Sequence, residues 1–250
     1  MKHTFTLFGR GMKHILRSPD TIITVAVMPI AVMLMFVYVF GGAVKGSLGV
    51  GANYVNYQLP GILLMAIGSG VSYTAFRLFS DVRQGLFTRF RSMPVSRSAA
   101  LWAHVLVSLV SNAITLVVIF AAALLIGFRS SAGFLSWLAA AGLLLLFALA
   151  LTWVAAIPGL TAKTAEGAGV FSYPIVFLPF FSSAFVPTET MPAALRAFAE
   201  NQPVTSIVNA LRNLFDGAPA GGEIGIAVAW CVGITFAAYI IAARVYRRKT

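Results

Sequence analysis

An all-α integral membrane protein is the fold class this sequence predicts, and three observations carry the prediction. Of its 250 residues 59% are hydrophobic and only 10% are charged, whereas a soluble domain carries about 25% charge. Mean hydropathy is +0.89. Continuous apolar runs recur at residues 21–40, 59–76, 99–126, 135–157, 168–186 and 224–243. A helix needs about 20 residues, at a rise of about 1.5 Å each, to cross a hydrocarbon core about 30 Å thick. Each run meets or approaches that length, and each must be helical, because a lone strand leaves its backbone polar groups unpaired in lipid. The expectation is six transmembrane helices in a single domain, residues 1–250.

The elements follow in order. Lys2, Arg10, Lys13 and Arg17 precede the first run. That run is longer than the apolar stretch of a cleavable signal, about 7–15 residues, so it reads as a retained span. Within residues 4–18, Phe5, Phe8, Met12 and Ile15 fall on one helical face, with Arg10, Lys13 and Arg17 elsewhere on the wheel. The pattern predicts a basic amphipathic helix on the membrane surface; a solvated basic tail is the plainer reading. Gly9 and Gly11 weaken such a helix by about 1 kcal/mol each. Pro19 and Asp20 mark the turn into the first span.

The second span contains Gly61, Gly68 and Gly70 with Ser69, Ser72 and Tyr73. After it comes the most charged internal stretch, residues 77–97, with five arginines and Asp81. Phe79, Val82, Leu86, Phe90 and Met93 recur on one helical face, Arg83, Arg89 and Arg91 lie off it, and Met93-Pro94 ends it. A helix over residues 79–93 is predicted, with a shape suited to docking in a partner's groove. A helix lying against lipid satisfies the same pattern.

On the third span His104, Ser108, Ser111 and Thr115 form a polar stripe with Asn112 beside it. Packing between helices is the favoured reading and substrate contact the other. The fifth span carries Tyr173, Phe177, Phe180, Phe181 and Ser182, with Pro174 and Pro179 among them. The prolines shape either a moving gate or a static bend. Over residues 187–222, Pro192 and Pro203 suit helix first turns, and Ile207, Leu211 and Leu214 continue an apolar stripe. Two short helices re-entering the external membrane face are expected, or an external helix lying on that face.

The net charge of +11 is distributed unevenly. On the six-span layout the amino tail, the 77–97 loop, Lys163 and the carboxyl tail share one side, and they hold all but Lys45, Arg129, Arg196 and Arg212 of the 18 basic residues. Such asymmetry places both termini in the cytoplasm. The charge is thus an orientation signal that also attracts anionic headgroups; with no aromatic-interleaved basic groove, nucleic acid is not an expected partner. The single cysteine, Cys231, and the scattered His3, His14 and His104 give no disulfide and no metal-ligand spacing. No catalytic constellation converges either. The seven acids map to loops or span ends, which counts against an ion-coupled carrier. A phosphate-binding loop would read G-x-x-x-x-G-K-[ST]; the nearest echo, Ala162-Lys163-Thr164, lacks both glycines.

Two separated motifs then bear a resemblance. Asp81, Gly85, Arg89, Phe90, Arg91, Ser92 and Pro94 resemble the cytoplasmic loop of type-2 ABC exporter permeases, in particular the daunorubicin-resistance-like branch. Residues 185–217, with Phe185-Val186-Pro187, Met191-Pro192 and Gln202-Pro203-Val204-Thr205 followed by Asn209-Ala210-Leu211-Arg212, are similar to the segment before that family's last span. Gln84 stands where many members carry an acid. The resemblance implies a half-transporter of the bacterial cell membrane, paired as a dimer and served by two copies of a separate ATPase that binds ATP and magnesium. It implies that Asp81, Arg83, Gly85, Arg89, Phe90, Arg91 and Pro94 belong to a coupling helix seated in that ATPase, with the helix of Arg10, Lys13 and Arg17 beside it. It implies too that spans two and five face the substrate pathway, with Ser69, Tyr73, Tyr173, Phe177 and Phe181 as candidate lining. An aromatic path suits hydrophobic or amphiphilic cargo, because ring surfaces adapt to varied shapes.

Overall fold

Among the described residues four helices are long and apolar enough to cross a membrane: Tyr54–Arg83, Leu101–Ile126, Phe134–Thr161 and Gly221–Arg247. The computed structural model describes residue 9 and residues 19–39, 54–84, 99–218 and 221–249. In chain order the helices are α1 (Pro19–Leu34), passing into a π turn at Met35–Val39, α2 (Tyr54–Arg83), α3 (Ala99–Ile126), α4 (Phe134–Thr161), α5 (Ala165–Val170) and α6 (Ser172–Phe177). A 3-10 turn at Leu178–Phe181 and another at Thr188–Thr190 lead to α7 (Ala193–Asn201), α8 (Pro203–Phe215) and α9 (Gly221–Lys249).

The first and fifth apolar runs differ from the other four. They appear as the shorter apolar stretches Ile23–Val39 and Ala165–Phe181. Pro29 removes a backbone donor inside α1. Further along, where its ladder changes to π, the buried Gln58 amide donates to the Met33 carbonyl at 3.3 Å. In the fifth run Pro174 and Pro179 each withhold a donor, and the chain divides into α5, α6 and the 3-10 turn instead of continuing as one rod.

Helix α2 is the centre of the molecule. It touches α1, α3, α4, α5, α6 and α8, and Leu59 and residues 62–67 are all but fully buried. Helix α4 lies between α2 and α9. Outward faces carry apolar residues such as Leu125, Phe134 and Phe236, as expected where the surrounding solvent is itself hydrocarbon.

Two aromatic knots mark the ends of the bundle. At one end Phe120, Phe128, Trp137 and Phe215 meet with ring centroids 5.4–6.4 Å apart. Here Gly127, at φ +113, ends α3 by a left-handed turn, and Phe128 N–H returns to the Ala123 carbonyl at 2.9 Å. Asn56 at the start of α2 exchanges two hydrogen bonds with the Arg129 backbone. Ser130 and Ser131 donate to the carbonyls of Phe215 and Asp216 at 2.6 and 2.8 Å. We call this the cap end. At the opposite, basic end, Trp153 makes edge contacts with Trp102 and Tyr239 at 5.2 and 4.9 Å.

Helix α8 belongs to the core of the cap end. Pro203 occupies its first turn, and Val204, Ile207, Val208, Leu211, Leu214 and Phe215 are buried in the main apolar cluster. The stripe seen in the sequence is therefore turned into the bundle, against α2, α4 and α9.

Candidate functional site

At the basic end α2 continues through Phe79, Asp81 and Arg83, so the first residues of the expected 79–93 helix complete this long one. Gly85, Arg89, Phe90, Arg91 and Pro94 lie outside the described residues, as do Arg10, Lys13 and Arg17; of the expected 4–18 helix only Gly9 is described. Asp81 turns inward. Its Oδ2 sits 3.0 Å from His104 Nε2 on α3. The Arg83 guanidinium lies 5.4 Å from the centre of the Phe79 ring and donates to the Lys163 carbonyl in the turn between α4 and α5. The end of α2 is thus fastened to α3 and to the α4–α5 turn by two separate polar contacts.

The candidate pathway residues fall on two neighbouring elements. Ser69 and Tyr73 are half-buried on α2. Tyr173, Phe177 and Phe181 form an exposed stripe on α6 and the turn after it, with 63%, 54% and 47% of their surfaces open. The chain from α5 to residue 185 runs antiparallel along α2, and glycines make that approach possible. A Cβ at Gly61 would stand 2.5 Å from that of Ala184, one at Gly68 would meet Ile175 and Val176 at 3.2 and 3.3 Å, and one at Gly169 would lie 3.3 Å from Ser72 Oγ. Further along α2, Thr74 Oγ1 donates to Ser108 on α3 at 2.7 Å, and Ser108 lies 3.1 Å from Thr152 on α4. Ser108, Asn112 and Thr115 are almost fully buried, so this part of the third-helix polar stripe lies between helices.

With this geometry in view, residues 2–215 match the family model described as ABC-2 type transporter. The chain belongs to the ABC-2 type transporter family. The likeness extends end to end. Daunorubicin resistance ABC transporter permease protein DrrB1 of Streptomyces coeruleorubidus is 30% identical over 247 residues, 98% of this chain and 86% of that protein. The probable doxorubicin resistance ABC transporter permease protein DrrC of Mycobacterium tuberculosis, in strains CDC 1551 / Oshkosh and H37Rv, is 26% identical over 240 residues, 94% of this chain and 84% of that protein. This ABC-2 type chain is a multi-pass membrane protein.

Three side chains of the ABC-2 type chain had no assigned role in the sequence reading, although they sit in its second motif. Gln202 Nε2 donates to the Phe181 carbonyl at 2.5 Å. Asn209 Oδ1 accepts from Ser183 Oγ at 2.7 Å. Arg212 donates to the carbonyls of Ser183 at 2.9 Å and Tyr57 at 3.1 Å, and its guanidinium lies 3.8 Å from the centre of the Tyr57 ring. Burial pushes the Arg212 pKa down while Tyr57 and Asp216 push it back up. Burial raises that of Asp216, against the pull of Arg212. A helical wheel of α8 carries the missing signal: Asn209 and Arg212 are one turn apart, set among Val208, Ala210 and Leu211.

Proposed function

We propose that the chain is the membrane-spanning subunit of an ATP-driven exporter, working as a dimer with two copies of a separate ATPase and moving hydrophobic or amphiphilic compounds out of the cell. The end-to-end likeness to a permease named for daunorubicin resistance carries this reading. In it the shorter stretches Ile23–Val39 and Ala165–Phe181 complete a six-span set with the four long helices. The basic end faces the cytoplasm together with both termini, and α7 and α8 close the external side. The coupling segment, residues 79–93, begins in the last turn of α2, with Asp81, Arg83, Gly85, Arg89, Phe90, Arg91 and Pro94 at the ATPase contact. The 4–18 helix, through Arg10, Lys13 and Arg17, rests at the inner membrane surface. Hydrolysis of ATP with its magnesium takes place on the partner. The work of this chain is conformational.

The physical argument for the pathway is the placement of Ser69 and Tyr73 on α2 beside the exposed stripe of Tyr173, Phe177 and Phe181. Open ring surfaces on a broken element supply a sequence-tolerant apolar face, and a second copy laid against it would enclose a path. The inward contact of Asp81 with His104 supports a transmitting role for the end of α2, since motion imposed there passes directly to α3. Among exporters of this class, a lipid or polysaccharide cargo is the second reading.

The experiment is co-purification of the full chain with ABC ATPase subunits from the same genome, followed by ATP turnover with and without the permease. Arg89→Glu/Arg91→Glu is expected to abolish the effect of the permease on turnover, and export with it, while the protein still inserts and folds. Full coupling in the double variant would remove that face from the ATPase contact. No complex in several detergents, with export that follows a proton gradient, would point to an ion-coupled carrier instead.

A further inference from the structure

The residues that join α6 to α7 follow an unusual course. After the 3-10 turn at Leu178–Phe181 the backbone opens, with Ser182 extended at φ −128 and ψ −177, and no helix resumes before Thr188. This strap nevertheless lies deep: Ser182, Ser183, Ala184 and Phe185 are all buried. Buried backbone outside a helix needs partners. Two of them come from α8 and its entry: Gln202 donates to the Phe181 carbonyl and Arg212 to the Ser183 carbonyl, while Asn209 Oδ1 accepts from the Ser183 hydroxyl beside them. A third comes from α2, where Tyr54 Oη donates to the Phe185 carbonyl at 3.1 Å.

We infer that Gln202, Asn209 and Arg212 act together as a grip that positions the strap, and that export requires this grip to open. This deepens the permease reading and rests on it. The strap is continuous with α6, so its position sets that of Tyr173, Phe177 and Phe181. Helix α8 is anchored by seven buried apolar residues of the main cluster, against Ala184 and Phe185 from the strap, which makes it the fixed jaw. The strap is held by Ala184 and Phe185, the latter stacked on Phe36 and Phe180 at 4.8 Å, and by the polar contacts, which are incomplete: among the described residues Gln202 Oε1 and Arg212 Nε are buried without hydrogen-bond partners. An unpaired buried polar atom raises the energy of the closed state and lowers the cost of leaving it. Among the described residues the cation has no carboxylate within ion-pair distance; what it faces is the Tyr57 ring, at 3.8 Å, a contact that tolerates sliding better than a bidentate ion pair does. The second motif of the sequence then contributes both sides of one device: Phe185-Val186-Pro187 is the far end of the strap that begins at Ser182, and Gln202, Asn209 and Arg212 are its grip.

The first test needs neither cargo nor ATPase. In the full chain, Arg212→Ala and Asn209→Leu are expected to accelerate amide hydrogen exchange across residues 178–187 by about tenfold, leaving α4 unchanged. Arg212→Lys keeps the charge but loses the fork, and is expected to fall between. Exchange at the native rate in both variants would overturn the grip, and a general rise that includes α4 would reduce it to ordinary stability. The second test joins the jaws. In a Cys231→Ala background, Ser183→Cys/Asn209→Cys is reconstituted with the ATPase, and export of daunorubicin, used as a fluorescent probe, is measured together with ATP turnover. Oxidation is expected to lower both by at least about tenfold, with the ATPase still bound and reductant restoring them. Unchanged export and turnover after complete oxidation would overturn the release step. A native chain that binds no ATPase would instead sink the permease reading and leave the exchange result standing on its own.

Discussion

Gly70 is the residue that lets α3 close on α2. A Cβ placed there runs into Asn112 Oδ1, well inside contact distance. That oxygen is buried and has no hydrogen-bond partner among the described residues, while the nitrogen of the same amide donates to the Ser108 carbonyl at 2.9 Å. Gly70→Ala is therefore expected to destabilise the fold by about 1–3 kcal/mol through overpacking, read from the midpoint of denaturant unfolding in mixed micelles. Asn112→Ala in the same chain removes both the obstruction and the unpaired acceptor, and is expected to return most of the loss. A double variant no more stable than Gly70→Ala alone would show that the amide oxygen is not the obstacle. At this scale the sequence was half legible. The glycines of α2 and the polar stripe of α3 stood out as small and polar groups at a helix interface. Which glycine faced which side chain did not, because that depends on the rotation of two helices about their own axes. His104 shows the same limit: nothing in its spacing announces the bond to Asp81, 23 positions earlier.

At the scale of elements, hydropathy marked the existence of the spans better than their ends or continuity. The second apolar run, residues 59–76, sits inside a helix that extends from Tyr54 to Arg83. Its polar ends are helical because Tyr54, Asn56 and Arg83 find partners in other elements. The fifth run reads as one span in composition and is broken in structure, because hydropathy does not register a missing backbone donor. Its prolines do, and they were visible. The stripe of α8 was equally visible, but a stripe alone does not distinguish a helix lying on a surface from one inserted in a core. The register of the broken element against α2 is directly testable. With a Cβ at position 169 only 3.3 Å from Ser72 Oγ, Ser72→Cys/Gly169→Cys in the Cys231→Ala background should oxidise readily to an intrachain disulfide, since the sulfur at position 72 takes the place of an oxygen that already touches that Cβ. Thiol counting with a maleimide before and after oxidation reads the result. Free thiols that persist here while Tyr73→Cys/Gly169→Cys closes would move the fifth element by one position along α2.

For the whole molecule the decisive pattern is charge. The basic end gathers Arg77, Arg83, Lys163, Arg244 and Arg247, while the described part of the cap end sets Arg129, Arg196 and Arg212 among Glu189, Glu200, Asp216 and Glu223. Lysine and arginine near span ends are retained on the cytoplasmic side during insertion, and acids weigh little in that choice. This much is legible without coordinates, since it needs only the order of apolar runs and the positions of cations. The folded chain adds that both ends are tied off by hydrogen bonds rather than by loops alone, so a bundle of either orientation would be mechanically sound; orientation therefore has to be measured. Thr190 and Lys163, both exposed and at opposite ends, are suitable reporters in the Cys231→Ala background, where the buried native thiol is removed. In intact cells a membrane-impermeant maleimide is expected to label Thr190→Cys and to leave Lys163→Cys untouched until the membrane is opened. The opposite pattern would put α7 and α8 in the cytoplasm and take the 79–93 segment out of reach of any ATPase. The expected pattern puts the strap and the end of the broken element that runs into it on the exit side, where a cargo drawn from the membrane would leave.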